Sequence, residues 1–65
     1  MTDSQARTFN AIPANFTACN FGHITRMSGN ESTRTDMQNL VALIGASEVE
    51  HTAGGMYRRK RKAKQ

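Results

Sequence analysis

The clearest structural signal in the chain is the stretch TDMQNLVALIG at residues 35–45. Its apolar residues recur at positions i, i+3, i+4 and i+7, which is the spacing that places side chains on one face of an α-helix. The residues of this stripe are Met37, Leu40, Val41 and Ile44. We therefore predict an amphipathic helix over about residues 36–45.

The ends of this helix are also indicated by sequence. Thr35 followed by Gln38 matches a capping box, in which the threonine hydroxyl accepts from an early backbone N–H and the glutamine reaches back. Asp36 in the first turn suits the positive end of the helix dipole. Gly45 can adopt a left-handed conformation without steric cost, so it is a candidate stop.

Residues 15–27 carry a weaker signal, for a β-hairpin. Two runs that contain aromatic and β-branched residues, at 15–21 and 23–27, are separated by Gly22. Such enrichment around a glycine is typical of two strands joined by a turn, although Phe-Gly is a weaker turn than Asn-Gly. We predict a β-hairpin-like segment here, packed on the amphipathic helix.

Residues 46–55 leave two alternatives open. Ser47 and Glu50 repeat the capping-box spacing, which favours a second short helix over residues 48–53, ended by the glycine pair that follows. In the other alternative the first helix continues through Gly45, at a cost of about 1 kcal/mol relative to alanine.

The stretch LVALIGASEV at residues 40–49 has the outline of a helix-turn-helix: an apolar helix, a short turn containing glycine and a second capped helix. Its second half does not suit a DNA-reading helix. Residues 50–55 begin with an acid and are then broken by glycine, and Glu48 and Glu50 would face phosphates unfavourably. We therefore interpret this stretch as a plain helical hairpin.

The chain is long enough for one small domain. Ten Leu, Ile, Val and Phe residues among 65 make a thin core, which rarely supplies more than about 3–5 kcal/mol. We divide the chain into a flexible N-terminus at residues 1–8, a single domain at residues 9–57 and a disordered basic tail at residues 58–65. The predicted class is small α+β.

The strongest functional signal is the charge of the last eight residues. They hold six of the nine basic residues and no acid, whereas residues 1–57 carry a net charge of −2. Clustered Lys and Arg displace counterions from phosphate, so the tail predicts sequence-blind contact with the backbone of DNA or RNA. The predicted contact residues are Arg58, Arg59, Lys60, Arg61, Lys62 and Lys64. A solubilising tail and a nuclear localisation signal are the alternatives.

Tyr57 lies directly before the tail and is included among the candidate nucleic-acid-binding residues. An aromatic side chain beside arginines can stack on a base, a contact worth roughly 1–3 kcal/mol. The competing interpretation is that Tyr57 packs back on the core. We favour the core, because large aromatic side chains are scarce in this chain and a thin core recruits them.

Two functional hypotheses follow. The first is a small nucleic-acid-associated accessory or regulatory protein, whose domain selects a target and whose tail adds affinity. The second is an adaptor or inhibitor that binds a protein partner, or a second copy of itself, through the apolar face of the helix at 36–45. The partner-binding residues on that hypothesis are Met37, Leu40, Val41 and Ile44.

Catalysis and metal binding are not predicted. Cys19, His23 and His51 could supply three metal ligands, but a structural zinc site takes four, usually from two close pairs. Cys19 is better interpreted as a small buried apolar residue. Because so short a chain is not expected to enclose a substrate pocket of about 300 Å³ or more, we predict no enzyme activity, cofactor or small-molecule substrate.

No segment of the chain has the features of a membrane anchor. The sequence contains no apolar run near the roughly 18 residues that span a bilayer and no signal-peptide pattern. A single cysteine fits a reducing compartment. We expect a cytoplasmic protein, or a nuclear one in a eukaryotic host.

Overall fold

The computed structural model describes residues 1–61 of the chain. In chain order its elements are helix α1 at Asp3–Asn10, strand β1 at Cys19–Asn20, helix α2 at Phe21–Ser28, helix α3 at Thr33–Gly45, strand β2 at Val49–Thr52 and strand β3 at Met56–Arg59. The three strands form an antiparallel sheet in the order β1-β3-β2. The predicted small α+β class is confirmed.

Helix α3 confirms the amphipathic helix predicted at about 36–45, with an earlier start. Its N-cap is Ser32, whose side chain accepts a hydrogen bond from the backbone N–H of Thr35 at 3.2 Å. Both Ser32 and Thr35 can cap a helix, and the earlier cap adds three residues to α3 while Thr35 lies in its first turn. The helix ends at Gly45, as predicted.

The β-hairpin predicted at residues 15–27 is wrong. Only Cys19–Asn20 forms a strand there, and it pairs with β3 at the other end of the chain. Asn20 then caps α2, since its side chain accepts from the backbone N–H of His23 at 2.8 Å. Ile24 and Ser28, four residues apart, are buried on one face of α2. Capping and burial outweigh the β propensity of the segment.

The second helix predicted at residues 48–53 is also wrong, because this segment contains β2, the first strand of a hairpin. Strand β2 pairs with β3, with Val49 opposite Arg59. Gly54 and Gly55 form the turn with φ angles of 80° and 74°, a left-handed conformation that favours glycine. Helix α3 does not continue through Gly45, since the chain turns into β2 through residues 46–48.

Residues 1–8 were expected to be flexible, whereas the structure places most of α1 there. Thr2 and Gln5 form a capping box: the Thr2 hydroxyl accepts from the Gln5 backbone N–H at 3.1 Å, and the Gln5 side chain accepts from the Thr2 N–H at 3.0 Å. Thr followed three residues later by Gln is the same sequence signal that was used at Thr35. Applied at the N-terminus, it predicts α1.

A small apolar core joins the helices to the sheet. Its buried residues are Ala11, Ile12, Cys19, Ile24, Leu40, Leu43 and Val49. The partly buried side chains Phe9, Phe21 and Tyr57 pack against this cluster. None of the helices in residues 1–61 is long and apolar enough to cross a membrane.

A buried carboxyl group lies where the three helices meet. Asp36 of α3 is 1% exposed. Its Oδ1 accepts from the Thr8 hydroxyl of α1 at 2.9 Å and from Asn30 Nδ2 at 2.9 Å, and its Oδ2 accepts from the Ser28 hydroxyl of α2 at 3.0 Å. Burial of such a group is tolerated only when its oxygens are hydrogen-bonded. We name Thr8, Ser28, Asn30, Asp36 and Asn39 the polar network.

The polar network also ties α1 to α3 through an amide. Asn39 Nδ2 donates to the Thr8 hydroxyl at 3.0 Å and to the Ser4 hydroxyl at 2.9 Å. Asn30, in the connection between α2 and α3, is itself held by Arg7, whose Nε donates to Asn30 Oδ1 at 2.8 Å. These side chains fix the relative positions of the three helices with directional contacts, which apolar packing alone does not provide.

Because of the polar network, we expect a conservative substitution of Asp36 to lower the stability of the fold strongly. Asp36→Asn keeps the shape of the side chain but replaces an accepting oxygen by an N–H group that faces donors. We expect a loss of about 1–3 kcal/mol in the free energy of unfolding, measured by urea denaturation. Glu31→Gln is the control, because it neutralises an exposed acid and should change stability by no more than about 0.5 kcal/mol. Equal effects of the two variants would contradict a structural role for the network.

Candidate nucleic-acid interface

Helices α2 and α3 follow one another with the short connection that a helix-turn-helix has. Four residues, 29–32, connect them, and the first of these, Gly29, takes a left-handed conformation with φ of 74° that ends α2. Ser32 closes the turn by capping α3. Turns of three or four residues that contain glycine are typical of this motif. The sequence analysis placed its helix-turn-helix outline at residues 40–49, which instead cover the end of α3 and the beginning of β2.

The sequence contains the signals for α2, for α3 and for the turn between them. Asn20, Gly29 and Ser32 are residue types that begin or end helices, at spacings that leave one short helix and one turn. They were missed because residues 15–27 were interpreted as strands.

The outward surface of α3 combines polar and apolar side chains. Arg34 and Gln38 are exposed, as are Met37 and Val41, which are 42% and 64% exposed. The only acidic residue of α3 is Asp36, and it is turned into the polar network. Burial of Asp36 therefore leaves the outward surface of α3 without a carboxyl group of its own, which suits contact with a polyanion.

The β2–β3 hairpin is fixed beside α3. Val49 of β2 is 1% exposed and belongs to the same apolar cluster as Leu40 and Leu43 of α3. The turn at residues 53–55 is exposed. Helix α3 and the hairpin thus share one apolar core, and the glycine pair forms a turn between two strands where the sequence had suggested the end of a helix.

Arg58 and Arg59 lie in β3, so these two residues of the predicted disordered tail belong to the sheet. Arg58 forms an ion pair with Glu50 on the neighbouring strand. Arg59 donates from Nε to the carbonyl oxygen of Ile12 at 3.0 Å and from Nη2 to that of Phe9 at 3.4 Å. Its guanidinium also lies 4.4 Å from the centre of the Phe9 ring. Arg59 therefore holds the C-terminal end of α1 to the sheet.

Of the basic residues that follow β3, the structure describes Lys60 and Arg61. Lys60 donates its backbone N–H to the carbonyl oxygen of Glu48 at 3.0 Å, and its side chain is exposed. The Arg61 guanidinium lies 4.3 Å from the centre of the Phe16 ring. The predicted contact residues Lys62 and Lys64 lie outside the described residues.

Tyr57 packs on the core, the interpretation that the sequence analysis favoured. It is partly buried against the apolar cluster, and its ring stacks on His51 with centroids 4.8 Å apart. It also pairs with Cys19 across the sheet. A base-stacking role for Tyr57 would require this packing to be given up.

The partner-binding face predicted on α3 is only partly available. Leu40 is fully buried in the core, so it cannot take part in a surface contact. Val41 is 64% exposed, and Met37 and Ile44 are 42% and 38% exposed. The remaining apolar face is therefore narrower than the sequence stripe, and it overlaps the outward surface that carries Arg34 and Gln38.

Cys19 and the histidines form no metal centre in the described part of the chain. Cys19 is buried, and burial raises the pKa of its thiol, so it acts as a small apolar side chain. Within residues 1–61 no three His, Cys, Asp or Glu side chains are grouped so that they could hold a metal ion.

Comparisons with protein-family models, with curated proteins and with solved structures found no match.

The two adjacent arginines of β3 predict different effects on stability. Arg59→Gln removes two hydrogen bonds and a ring contact, and we expect the free energy of unfolding to fall by about 1–3 kcal/mol. Arg58→Gln removes the same charge from a surface ion pair and should cost at most about 1 kcal/mol. Urea denaturation of both variants measures the difference. A larger loss in Arg58→Gln would contradict the structural role given to Arg59.

Proposed function

We propose that this protein is a small, non-enzymatic DNA-binding regulatory protein that inserts α3 into the major groove. The observation that carries the proposal is the pair of helices α2 and α3, joined by a four-residue turn that contains glycine, as the helices of a helix-turn-helix are. In this motif the second helix lies in the groove with its N-terminal residues against the base edges, while the first helix crosses the backbone. A helix about 10–12 Å across matches a groove about 12 Å wide.

The outward surface of α3 has the chemistry needed to distinguish bases. An arginine such as Arg34 can donate two hydrogen bonds to guanine, and a glutamine such as Gln38 can pair with the edge of adenine. Apolar side chains such as Met37 and Val41 suit the methyl group of thymine. The buried position of Asp36 supports the proposal, because a carboxyl group on this surface would oppose phosphate.

The basic C-terminal segment contributes affinity without sequence preference. Lys60 is exposed at the end of the described chain, and Lys62 and Lys64 follow it in sequence. On this proposal these lysines neutralise backbone phosphates, while α3 selects the site. Arg58 and Arg59 are excluded from that role, because their side chains are used in contacts within the fold.

Duplex DNA is favoured over duplex RNA as the target. The major groove of A-form RNA is deep and narrow, and protein side chains cannot read the bases there. If the ligand is genomic DNA, the protein acts in the cytoplasm, or in the nucleus of a eukaryotic host. The lone reduced thiol of Cys19 is compatible with either compartment.

The base-reading role of α3 predicts a loss that depends on DNA sequence. Duplexes that bind the protein are first selected from a randomised pool, and affinity is then measured by fluorescence anisotropy for a selected and a scrambled duplex. Arg34→Ala and Gln38→Ala should each weaken binding to the selected duplex by about 1–3 kcal/mol and affect the scrambled one less.

Arg26→Ala is the matched control for Arg34→Ala, because it removes the same charge from an exposed position on α2. It should change the affinity for the two duplexes to the same degree. If no motif is enriched from the pool, or if the α3 variants weaken both duplexes equally, the proposal that α3 reads bases is wrong.

The lysines of the C-terminal segment predict a change in salt dependence. Lys62→Gln combined with Lys64→Gln removes two charges, so the slope of log affinity against log salt should become shallower by about 2. The affinity ratio of the selected to the scrambled duplex should not change. A lost preference for the selected duplex, or an unchanged slope, would contradict the proposed division of roles.

The exposed apolar side chains of α3 favour a second candidate function. Met37, Val41 and Ile44 share one face and could pack against a protein partner or a second copy of the chain. Light scattering on the purified protein distinguishes DNA binding from protein binding by this face. If the protein forms a stable dimer without DNA and Val41→Asp abolishes the dimer, the face makes a protein contact.

A further inference from the structure

A basic groove lies at the end of the sheet, apart from α3. Its volume is about 260 Å³. The residues that line it are Asn15, Phe16, Glu50 and the four basic residues at 58–61. They come from the connection between α1 and β1, from the beginning of β2 and from the end of β3. We call this feature the basic groove.

The charge of the basic groove favours an anionic ligand. Of the four basic residues that line it, Arg58 is paired with Glu50 and Arg59 is bonded to carbonyl oxygens at the end of α1. The charge that an anion can meet is therefore that of Lys60 and Arg61. The backbone of Lys60 is fixed by its hydrogen bond to the carbonyl oxygen of Glu48. Cations held by a folded sheet are better prepared to bind a phosphate than those of a free tail, because less conformational entropy is lost.

One wall of the basic groove is an aromatic ring held in an uncommon backbone conformation. Phe16 has a φ of 67°, in the left-handed region that bulky residues seldom occupy. Such conformations cost about 1–3 kcal/mol and cluster at binding sites. The ring is half-buried, and the Arg61 guanidinium lies 4.3 Å from its centre. A planar group and a cation are therefore adjacent in the groove.

We propose that the basic groove binds a nucleoside phosphate, with the base stacked on the Arg61 guanidinium where it covers the Phe16 ring, and with the phosphate held by Lys60. A guanidinium plane stacks on a base as it does on an aromatic ring, and it adds a charge contribution of its own. A volume of about 260 Å³ lies just below the usual range of ligand pockets and suits one nucleotide unit that remains partly exposed.

The basic groove shares no side chain with the proposed DNA-reading surface. None of the residues that line the groove belongs to α3. The ligand is a nucleoside phosphate from one of two sources, a free nucleotide or the phosphorylated end of a single strand. This proposal does not depend on duplex binding by α3.

The test uses the full chain and ADP as the probe. Titration of ¹⁵N,¹³C-labelled protein with ADP should shift the ring resonances of Phe16 and the Nε resonance of Arg61. Phe16→Leu and Arg61→Gln should each weaken ADP binding by about fivefold or more. Arg26→Gln is the control, because it removes the same charge as Arg61→Gln from a position outside the groove, and it should leave ADP affinity unchanged.

Two further probes distinguish binding of the base from binding of the phosphate. Adenosine and pyrophosphate should each bind more weakly than ADP, because each offers only part of the ligand. A 5′-phosphorylated tetrathymidylate that binds more tightly than ADP assigns the groove to strand ends, and the reverse order assigns it to free nucleotides.

Circular dichroism confirms that each variant is folded, and Arg61→Gln alone decides the result if Phe16→Leu unfolds. The proposal is overturned if ADP shifts no resonance of the groove, or if pyrophosphate binds as tightly as ADP. An equal effect of Arg26→Gln and Arg61→Gln also overturns it.

Discussion

The buried carboxyl group of Asp36 is the constraint on which the arrangement of the helices depends. It accepts hydrogen bonds from α1, from the end of α2 and from the turn before α3. Since a shift of any one helix would break at least one of these hydrogen bonds, the network favours one relative position of the three helices. A thin apolar core is compatible with several packings, so directional contacts are especially important in a chain of this size.

The same carboxyl group links the fold to the proposed function. Asp36 occupies the first turn of α3, where its inward orientation leaves Arg34 and Gln38 on the exposed surface. Arg59 makes a corresponding contribution at the C-terminal end of α1, where it turns a positive charge inward onto carbonyl oxygens. Two charged side chains that composition alone would assign to the surface are thus parts of the framework.

The sequence alone predicted α3, the element with the strongest periodicity. The prediction failed in short segments whose residues suit more than one kind of secondary structure. Helix α3 was found because its apolar stripe and stop signal agree. The strands at β2 and β3 were missed because each has only four residues and because Ser47 and Glu50 imitate a capping box. Strand β1 has two residues and pairs with β3 about 37 positions away, a contact that no local pattern reveals.

The candidate site was predictable to a similar extent. The basic character of the C-terminal segment is visible in composition. Its residues nevertheless differ in role: Arg58 forms an ion pair, Arg59 contacts the end of α1, and Lys60 is exposed. These differences could not be predicted without knowing where β3 lies in the sheet. Likewise, the stripe on α3 does not show which side is buried, and the structure removes Leu40 from the surface while leaving Val41 on it. The polar network was not foreseeable, because its members are separated by up to about thirty residues in sequence.

We propose that α3, held by Asp36, is the surface that meets duplex DNA. A heteronuclear NMR titration of the labelled full chain with a selected duplex tests this directly, because it observes side-chain resonances. We expect the Arg34 Nε, Gln38 amide and Val41 methyl resonances to shift at stoichiometric DNA, together with those of the lysines beyond β3. Shifts confined to residues 58–65, with α3 unchanged, would contradict it.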